Sequence, residues 1–322
     1  MNCSFPHRPS FPYVGFISGT LFALIWSGSF IASKITLPLS PPLWLAAERL
    51  IGASLILLPF VGIHALRIWR DAEHSTRFRL LCSAALTQSF YLGAVFYALH
   101  SLPATFISVV GSSLPLVSIP VATAVLGERA SWREVMVTIS AVASVMIVIL
   151  GRDGSPSIDT DASGFAVTLM LLAVLALATG NTLLKPVAET GQLLPLITIQ
   201  MSVGGVLLAA VAAIVEGQPY FRPTPEVLVG LIYLIVIGSI GGMWLWILLL
   251  QQFSAIQASG FFLATPIFGI GLGYVLLGEV LTPVQLIGTG MLCLLITIRS
   301  GLGQSKPDKG QEISSPRQPP NQ

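Results

Sequence analysis

Ten apolar runs, each about as long as a bilayer is thick, leave this chain few folds to choose from. They lie near 14–34, 43–63, 79–99, 104–126 and 133–151, then 163–184, 194–215, 227–250, 256–277 and 283–299. A hydrocarbon core of about 30 Å takes roughly 20 apolar residues of helix. Only 9% of the 322 residues are charged and the mean hydropathy is +0.83. Soluble domains carry about 25% charged residues, so a water-facing surface cannot be built here. The fold class predicted is all-α integral membrane, with ten transmembrane helices.

The breaks between runs have their own chemistry. PLSPP (38–42) cannot continue a helix. RIWRDAEHSTRFR (67–79) is too charged for lipid. GRDGSPSIDTDAS (151–163), KPVAETGQ (185–192) and EGQPYFRPTPE (216–226) are turn sequences. Lys and Arg gather in loops that stay cytoplasmic. With the N-terminus inside, 12 of the 16 basic residues fall on the cytoplasmic side. The sequence therefore predicts a multi-pass protein of the plasma (inner) membrane with both termini cytoplasmic. Residues 1–13 read as a short N-terminal tail. Residues 300–322 are Pro, Gln, Ser and Lys with almost no apolar content, and read as a disordered tail.

The chain also repeats itself. VLGERASW (125–132) and LLGEVLTP (276–283) both end an apolar run with Leu-Gly-Glu, and Glu128 and Glu279 are separated by 279 − 128 = 151 residues. At that offset Lys34 falls on Lys185, Pro115 on Pro266 and Gly127 on Gly278. Leu99–Glu128 and Leu250–Glu279 share eight of 30 positions without a gap. Five spans per half is an odd number, so the second half must enter the membrane from the opposite side. Inverted repeats of this kind give a transporter two exchangeable states. The expected units are 14–151 and 163–299.

These residues resemble a known family. IWSGSFIASK (25–34), LAAERLIGASLILL (45–58), SSLPLVSIPVATAVLGER (112–129) and ATPIFGIGLGYVLLGEV (264–280) look like the EamA-type carriers of the drug/metabolite transporter superfamily. The resemblance covers about residues 15–299. It implies a ten-helix fold, cytoplasmic termini and movement of small metabolites, often export. It carries over Pro115 and Pro266 as mid-helix prolines, Glu128 and Glu279 as helix-end glutamates, and Arg49 as an arginine common in the second helix. At the place symmetric to Arg49 this chain has Gln200, so a pair of matched arginine gates is not expected.

Several polar residues in the spans ask for a role. A charge at the centre of a membrane helix costs about 2.5–3.5 kcal/mol on insertion scales. Glu48 and Arg49 lie shallow enough in span 2 to snorkel to the headgroups; otherwise one of them faces an inner cavity and meets substrate or a coupling proton. Adjacent positions diverge by about 100° on a helix, so both cannot face it squarely. Lys34 and Lys185 end spans 1 and 6, as dipole-matched cations or as a pair of charged gates. Glu128 and Glu279 sit where the dipole disfavours anions. They read as structural latches on the hairpins between spans 4 and 5 and between 9 and 10, offset by Arg129 or Arg133, or else as solvated loop carboxylates. Pro115 and Pro266 read as hinges beside a cavity wall, with Ser112 and Ser113 preceding the first, against a passive packing kink. Trp26, Gln88, Tyr91 and Trp244 are further cavity candidates. Asn181 and Gln200 must face inward, to bond another helix or a ligand. Glycine stretches such as GSIGG (238–242) read as helix packing.

Other chemistries lack their residues. His7, His64, His74 and His100 lie in tails or loops without metal spacing. Cys3, Cys82 and Cys293 form no metal or disulfide framework. No catalytic constellation and no phosphate loop appears, so no enzyme activity and no cofactor is expected. A net charge of +2 without a basic patch gives no nucleic-acid partner. The partners expected are a small-molecule substrate and the lipid bilayer, and a homodimer is compatible. The function read from the sequence is secondary transport of a small metabolite, an amino acid or related compound, by alternating access and in the export direction. The alternatives are a passive facilitator or importer, and then a multi-span membrane enzyme.

Overall fold

A computed structural model of the chain describes residues 12–102, 107, 110–150, 160–190, 192–220, 224–277 and parts of 283–295. Every regular element among the described residues is helical. Helix α1 is Pro12–Thr36 and α2 is Pro42–Asp71. Helix α3 runs from His74 to Ser101 through a π-helical segment, Ala84–Tyr91. Helix α4 is Val110–Leu126, α5 is Trp132–Leu150, α6 is Thr160–Ala188 and α7 is Leu193–Val215. Helix α8 runs from Pro225 to Gln252 through a second π-helical segment, Tyr233–Gly241. Helix α9 comprises Ala255–Ser259, a 3₁₀ stretch Gly260–Ala264 and Thr265–Leu277.

Seven helices among the described residues are long and apolar enough to cross a membrane, namely α1, α2, α3, α6, α7, α8 and α9. Their outer surfaces carry large apolar side chains, among them Phe60, Ile63, Ile214 and Val229. Exposed apolar surface on this scale is unusual in a soluble monomer and matches hydrocarbon. The residues expected to form the tenth span lie mostly outside the described set.

One expectation about the ends of the spans is corrected. The charged stretch 67–79 was expected as a loop, but α2 continues to Asp71 and α3 begins at His74. Charge keeps such residues out of lipid without preventing helix. The Arg77 guanidinium donates to the Arg70 carbonyl, 2.6 Å, across the tight connection.

The most extensive helix pairing joins α2 and α7. It is antiparallel. Leu43 and Trp44 at the start of α2 meet Glu216 at the end of α7, while Ser54 Oγ lies 2.6 Å from Ser202 Oγ further along. The Ile51 backbone packs against Gly205, where a Cβ on the glycine would stand 3.2 Å from the Ile51 nitrogen. Adding 151 to Ser54 and subtracting it from Ser202 turns the first contact into the second, 205 with 51. The offset found in the sequence is thus also an exchange of neighbours across this helix pair.

Two further features recur at the same spacing. Shifting the π-helical segment Ala84–Tyr91 by 151 gives 235–242, within two residues of the second segment, Tyr233–Gly241. Regular helix begins at Leu114 in α4 and at Thr265 in α9, again 265 − 114 = 151 residues apart. Pro115 and Pro266 therefore occupy the first turn of a restarted helix, where a missing N–H costs little. The regular helix is interrupted just before them, by a turn at Ser113 and by the 3₁₀ stretch 260–264, where the sequence assigned the interruption to mid-helix proline.

Close approach at Gly204 gives a test. A methyl group there would collide with the root of the Gln88 side chain, whereas Gly164 faces open space. Gly204→Ala should lower the thermal unfolding temperature of the detergent-purified protein, at about 1–3 kcal/mol for overpacking. Gly164→Ala should raise it slightly, by roughly 0.5–1 kcal/mol of helix propensity.

Candidate functional site

Arg49 stands between two narrow clefts inside the helix assembly. The larger is walled by Phe22 and Trp26 of α1, Thr87, Gln88 and Leu92 of α3, Leu177 and Asn181 of α6, Met201 of α7, Gly238, Ser239, Gly242, Met243 and Trp246 of α8, and Phe262 of α9. The smaller is walled by Trp26, Ser29, Phe30 and Ser33 of α1, Tyr91, Leu92, Val95 and Phe96 of α3, and Arg49. Trp26, Arg49 and Leu92 belong to both. The larger cleft lies about two turns from the face where α6 and α8 end and α7 and α9 begin. The smaller lies toward the opposite face, where α1 and α3 end and α2 begins. The two clefts thus approach Arg49 from opposite sides.

Arg49 is 5% exposed. Its Nε donates to Ser239 Oγ at 3.0 Å, and Ser239 Oγ in turn donates to the Leu234 carbonyl five residues earlier, at 2.9 Å. A carbonyl has a second lone pair for such a bond, as the Ala23 and Ser29 carbonyls use for Ser27 and Ser33 in α1; the five-residue reach here matches the i→i+5 spacing of the π-helical turn. The guanidinium carbon lies 5.7 Å from the centre of the Phe96 ring, a cation–π distance. No carboxylate among the described residues comes within ion-pair range of it; the ion pair found there is Lys185 with Glu189. Snorkelling is therefore not how this charge is accommodated.

Aromatic rings fill much of the site. Trp26 stacks on Tyr91 with centroids 6.1 Å apart, and Phe262 meets Phe22, Trp26 and Trp246 edge-on at 5.1–5.4 Å. The Trp246 indole N–H donates to Asn181 Oδ1 at 3.0 Å. Indole N–H is donor only, so this bond fixes the amide orientation and leaves Asn181 Nδ2 without an acceptor. The Tyr91 hydroxyl is buried and likewise unpartnered. Gln88 Nε2 reaches Thr87 Oγ1 at 3.3 Å and Met243 Sδ at 3.6 Å.

The structure thus brings together five of the candidates, Trp26, Arg49, Gln88, Tyr91 and Asn181. The others lie elsewhere. Trp244 is 47% exposed on the outer surface; Trp246, about 200° further round the helix, takes the inward place. Gln200 is fully buried but donates to the Leu80 carbonyl of α3 at 3.4 Å, a helix-to-helix bond away from the clefts. Ser112 and Ser113 line neither cleft, and Ser113 Oγ donates to the Val110 carbonyl. Glu48 is half-buried outside both linings. Lys34 is exposed, whereas Lys185 is buried, paired with Glu189 at 2.6 Å and bonded to the Leu250 carbonyl at 2.5 Å. The two lysines do not form a matched gate. Sequence reasoning missed Phe22, Ser239 and Phe262. The GSIGG stretch, read as packing, supplies three wall residues because its side chains are small enough for the cleft to reach the backbone.

Glu128 bonds outside the hairpin on which a latch was expected. Gly127 ends α4 in the left-handed region, φ 70°, as a helix-terminating glycine does. The Glu128 carboxylate then accepts from the Ala255 and Ile256 N–H groups, 2.9 and 3.1 Å, at the start of α9. The positive end of that helix offsets the unfavourable dipole of its own, without Arg129 or Arg133. Glu216 does the same for α2, accepting from Leu43 and Trp44 N–H at 2.9 and 3.1 Å. Glu279 lies outside the described residues.

Long apolar helices packed around interior clefts define a multi-pass membrane protein. The EamA-like transporter family matches residues 14–150 and 164–299, and the chain belongs to that family. A "Probable amino-acid metabolite efflux pump" of Salmonella typhimurium is 25% identical over 292 residues, 86% of this chain and 91% of that one. The transporter YcxC of Bacillus subtilis is 25% identical, over 88% of this chain and 91% of its own. A WAT1-related chloroplastic protein of Arabidopsis thaliana is 24% identical over 84% of this chain, which spans 66% of that relative's length. A solved crystal structure superposes with a TM-score of 0.67 at 15% identity, over 91% of this chain and 96% of that one; it shows the fold alone.

Two substitutions test these placements. Glu128→Ala should cost about 0.5–2 kcal/mol in thermal unfolding, the range for a lost helix cap, and Glu128→Gln should cost less. In a flux assay, Trp244→Leu should behave as wild type, while Trp246→Phe, which strands the Asn181 amide, should lower the rate.

Proposed function

We propose that this protein is a secondary transporter that carries a small metabolite by alternating access around Arg49. The observation that carries the reading is a pair of clefts that share one buried cation, one lined toward each end of the helices. A site of that kind can be offered to either side by a modest rocking of the surrounding helices. Two inverted five-helix repeats, residues 14–151 and 163–299, are the rocking units in this reading. The exchange of contacts across α2 and α7, the paired π-helical segments and the paired helix restarts at Leu114 and Thr265 all support it. The restarts before Pro115 and Pro266 serve as hinges, and the Glu128 and Glu216 latches hold the ends of the paired helices.

The charge bias of the loops favours the plasma membrane topology with both termini cytoplasmic, which puts the larger cleft on the cytoplasmic side. The Salmonella relative supports export of an amino acid or related compound. Arg49, Trp26, Gln88, Tyr91 and Asn181 are the residues proposed to meet substrate.

The test is efflux of a metabolite panel from cells with and without the protein, repeated with Glu48→Gln and with the proton gradient collapsed. Expression should speed loss of at least one solute, and collapse of the gradient should slow it. Flux indifferent to the gradient would make the protein a facilitator. A broad panel unmoved in either direction would overturn the transport reading.

A further inference from the structure

The polar atoms left without partners around Arg49 share one character. The guanidinium has given Nε to Ser239, and no acceptor among the described residues takes its terminal nitrogens. Asn181 Nδ2 is a donor held in place by Trp246 and left unpaired. The Tyr91 hydroxyl can donate and does not. No Asp or Glu lines either cleft. A buried charge without a counter-charge is costly, and a buried donor without an acceptor adds to the cost. The site is therefore rich in unpaired donors, and no carboxylate in its walls answers an ammonium group. Between these donors the walls are flat and apolar, chiefly Trp26, Phe22, Trp246 and Phe262.

Resting on the transport reading, we infer that the substrate is a small organic anion, whose carboxylate is held by the Arg49 guanidinium and whose flat apolar body lies against the aromatic walls. An arginine fork matches a carboxylate bidentately, and its terminal nitrogens are the part of Arg49 that the protein leaves free. A free ammonium on the same molecule would be buried beside a cation with no acid to answer it. Among amino acids and related compounds, the clefts select the monovalent acids that lack the ammonium group over the zwitterions with the same body, and over amines.

The test keeps the body constant and changes the head. Binding to the full-length protein in detergent is measured for 3-phenylpropanoate, 3-phenylpropan-1-ol, 3-phenylpropan-1-amine and phenylalanine. The acid should bind more tightly than the other three by at least about tenfold, the value of one charge-assisted hydrogen-bonded contact. Arg49→Gln should remove that preference and Arg49→Lys should restore part of it. Thermal stability of Arg49→Gln should hold or rise, because the variant relieves an uncompensated buried charge; a cation kept only for structure would lose stability instead. Where Arg49→Gln fails to fold, the ranking of the four heads on the wild type decides.

Equal or tighter binding of the amine or zwitterion overturns the inference. So does an acid preference that survives in Arg49→Gln, or no binding by the acid at all. The two readings separate in proteoliposomes. An acid that binds through Arg49 but does not cross supports the anion site and sinks transport. Other solutes that cross while the acid neither binds nor moves sink the anion site and leave transport standing.

Discussion

The antiparallel pairing of α2 with α7 is the contact on which the rest is hung. It is close because Gly205 lets the Ile51 backbone approach with nothing between, and the Ser54–Ser202 hydrogen bond crosses it. In lipid there is no hydrophobic drive to push helices together, so small residues and buried hydrogen bonds must do it. Glu216 fastens one end of the pair through the first N–H groups of α2. With α2 fixed in this way, Arg49 is held at depth and turned toward the clefts, while its counterpart in α7, Gln200, is turned toward α3.

Holding a guanidinium there takes a second device. In a regular helix a serine hydroxyl bonds back to the carbonyl four residues earlier, as Ser27 and Ser33 do in α1. In the π-helical segment of α8 Ser239 bonds back five residues, to the Leu234 carbonyl, and its oxygen receives Arg49. The matching segment of α3 supplies Thr87, Gln88 and Tyr91 to the clefts. Both widened turns thus lie where the helices must present polar atoms inward, consistent with such turns marking functional positions.

How well individual residues could be read depended on what they needed from the fold. Gly127 and Glu128 announced a helix end, because a left-handed glycine and a carboxylate closing an apolar run are local features. Their partner could not be read, since the start of α9 lies 127 residues further on. Trp244 and Trp246 are two positions apart and equally bulky. Only the rotation of α8 against α6 decides that one bonds Asn181 and the other meets lipid. Lys34 and Lys185 match at the repeat offset, yet one is exposed and the other buried, because matched positions in two copies need not meet matched neighbours.

The sequence by itself determined that the chain is a helical membrane protein with an internal repeat, because apolar run length, scarcity of charge and a fixed offset are properties of the chain alone. It also pointed to Arg49, because a charge inside an apolar run is costly wherever it sits. Tertiary structure alone decided that no carboxylate among the described residues pairs with this charge, that two clefts share it, and that Glu128 and Glu216 bond to helices far from their own. Those facts are relations between segments far apart in the chain, and no local pattern of residues encodes which helix face will meet which.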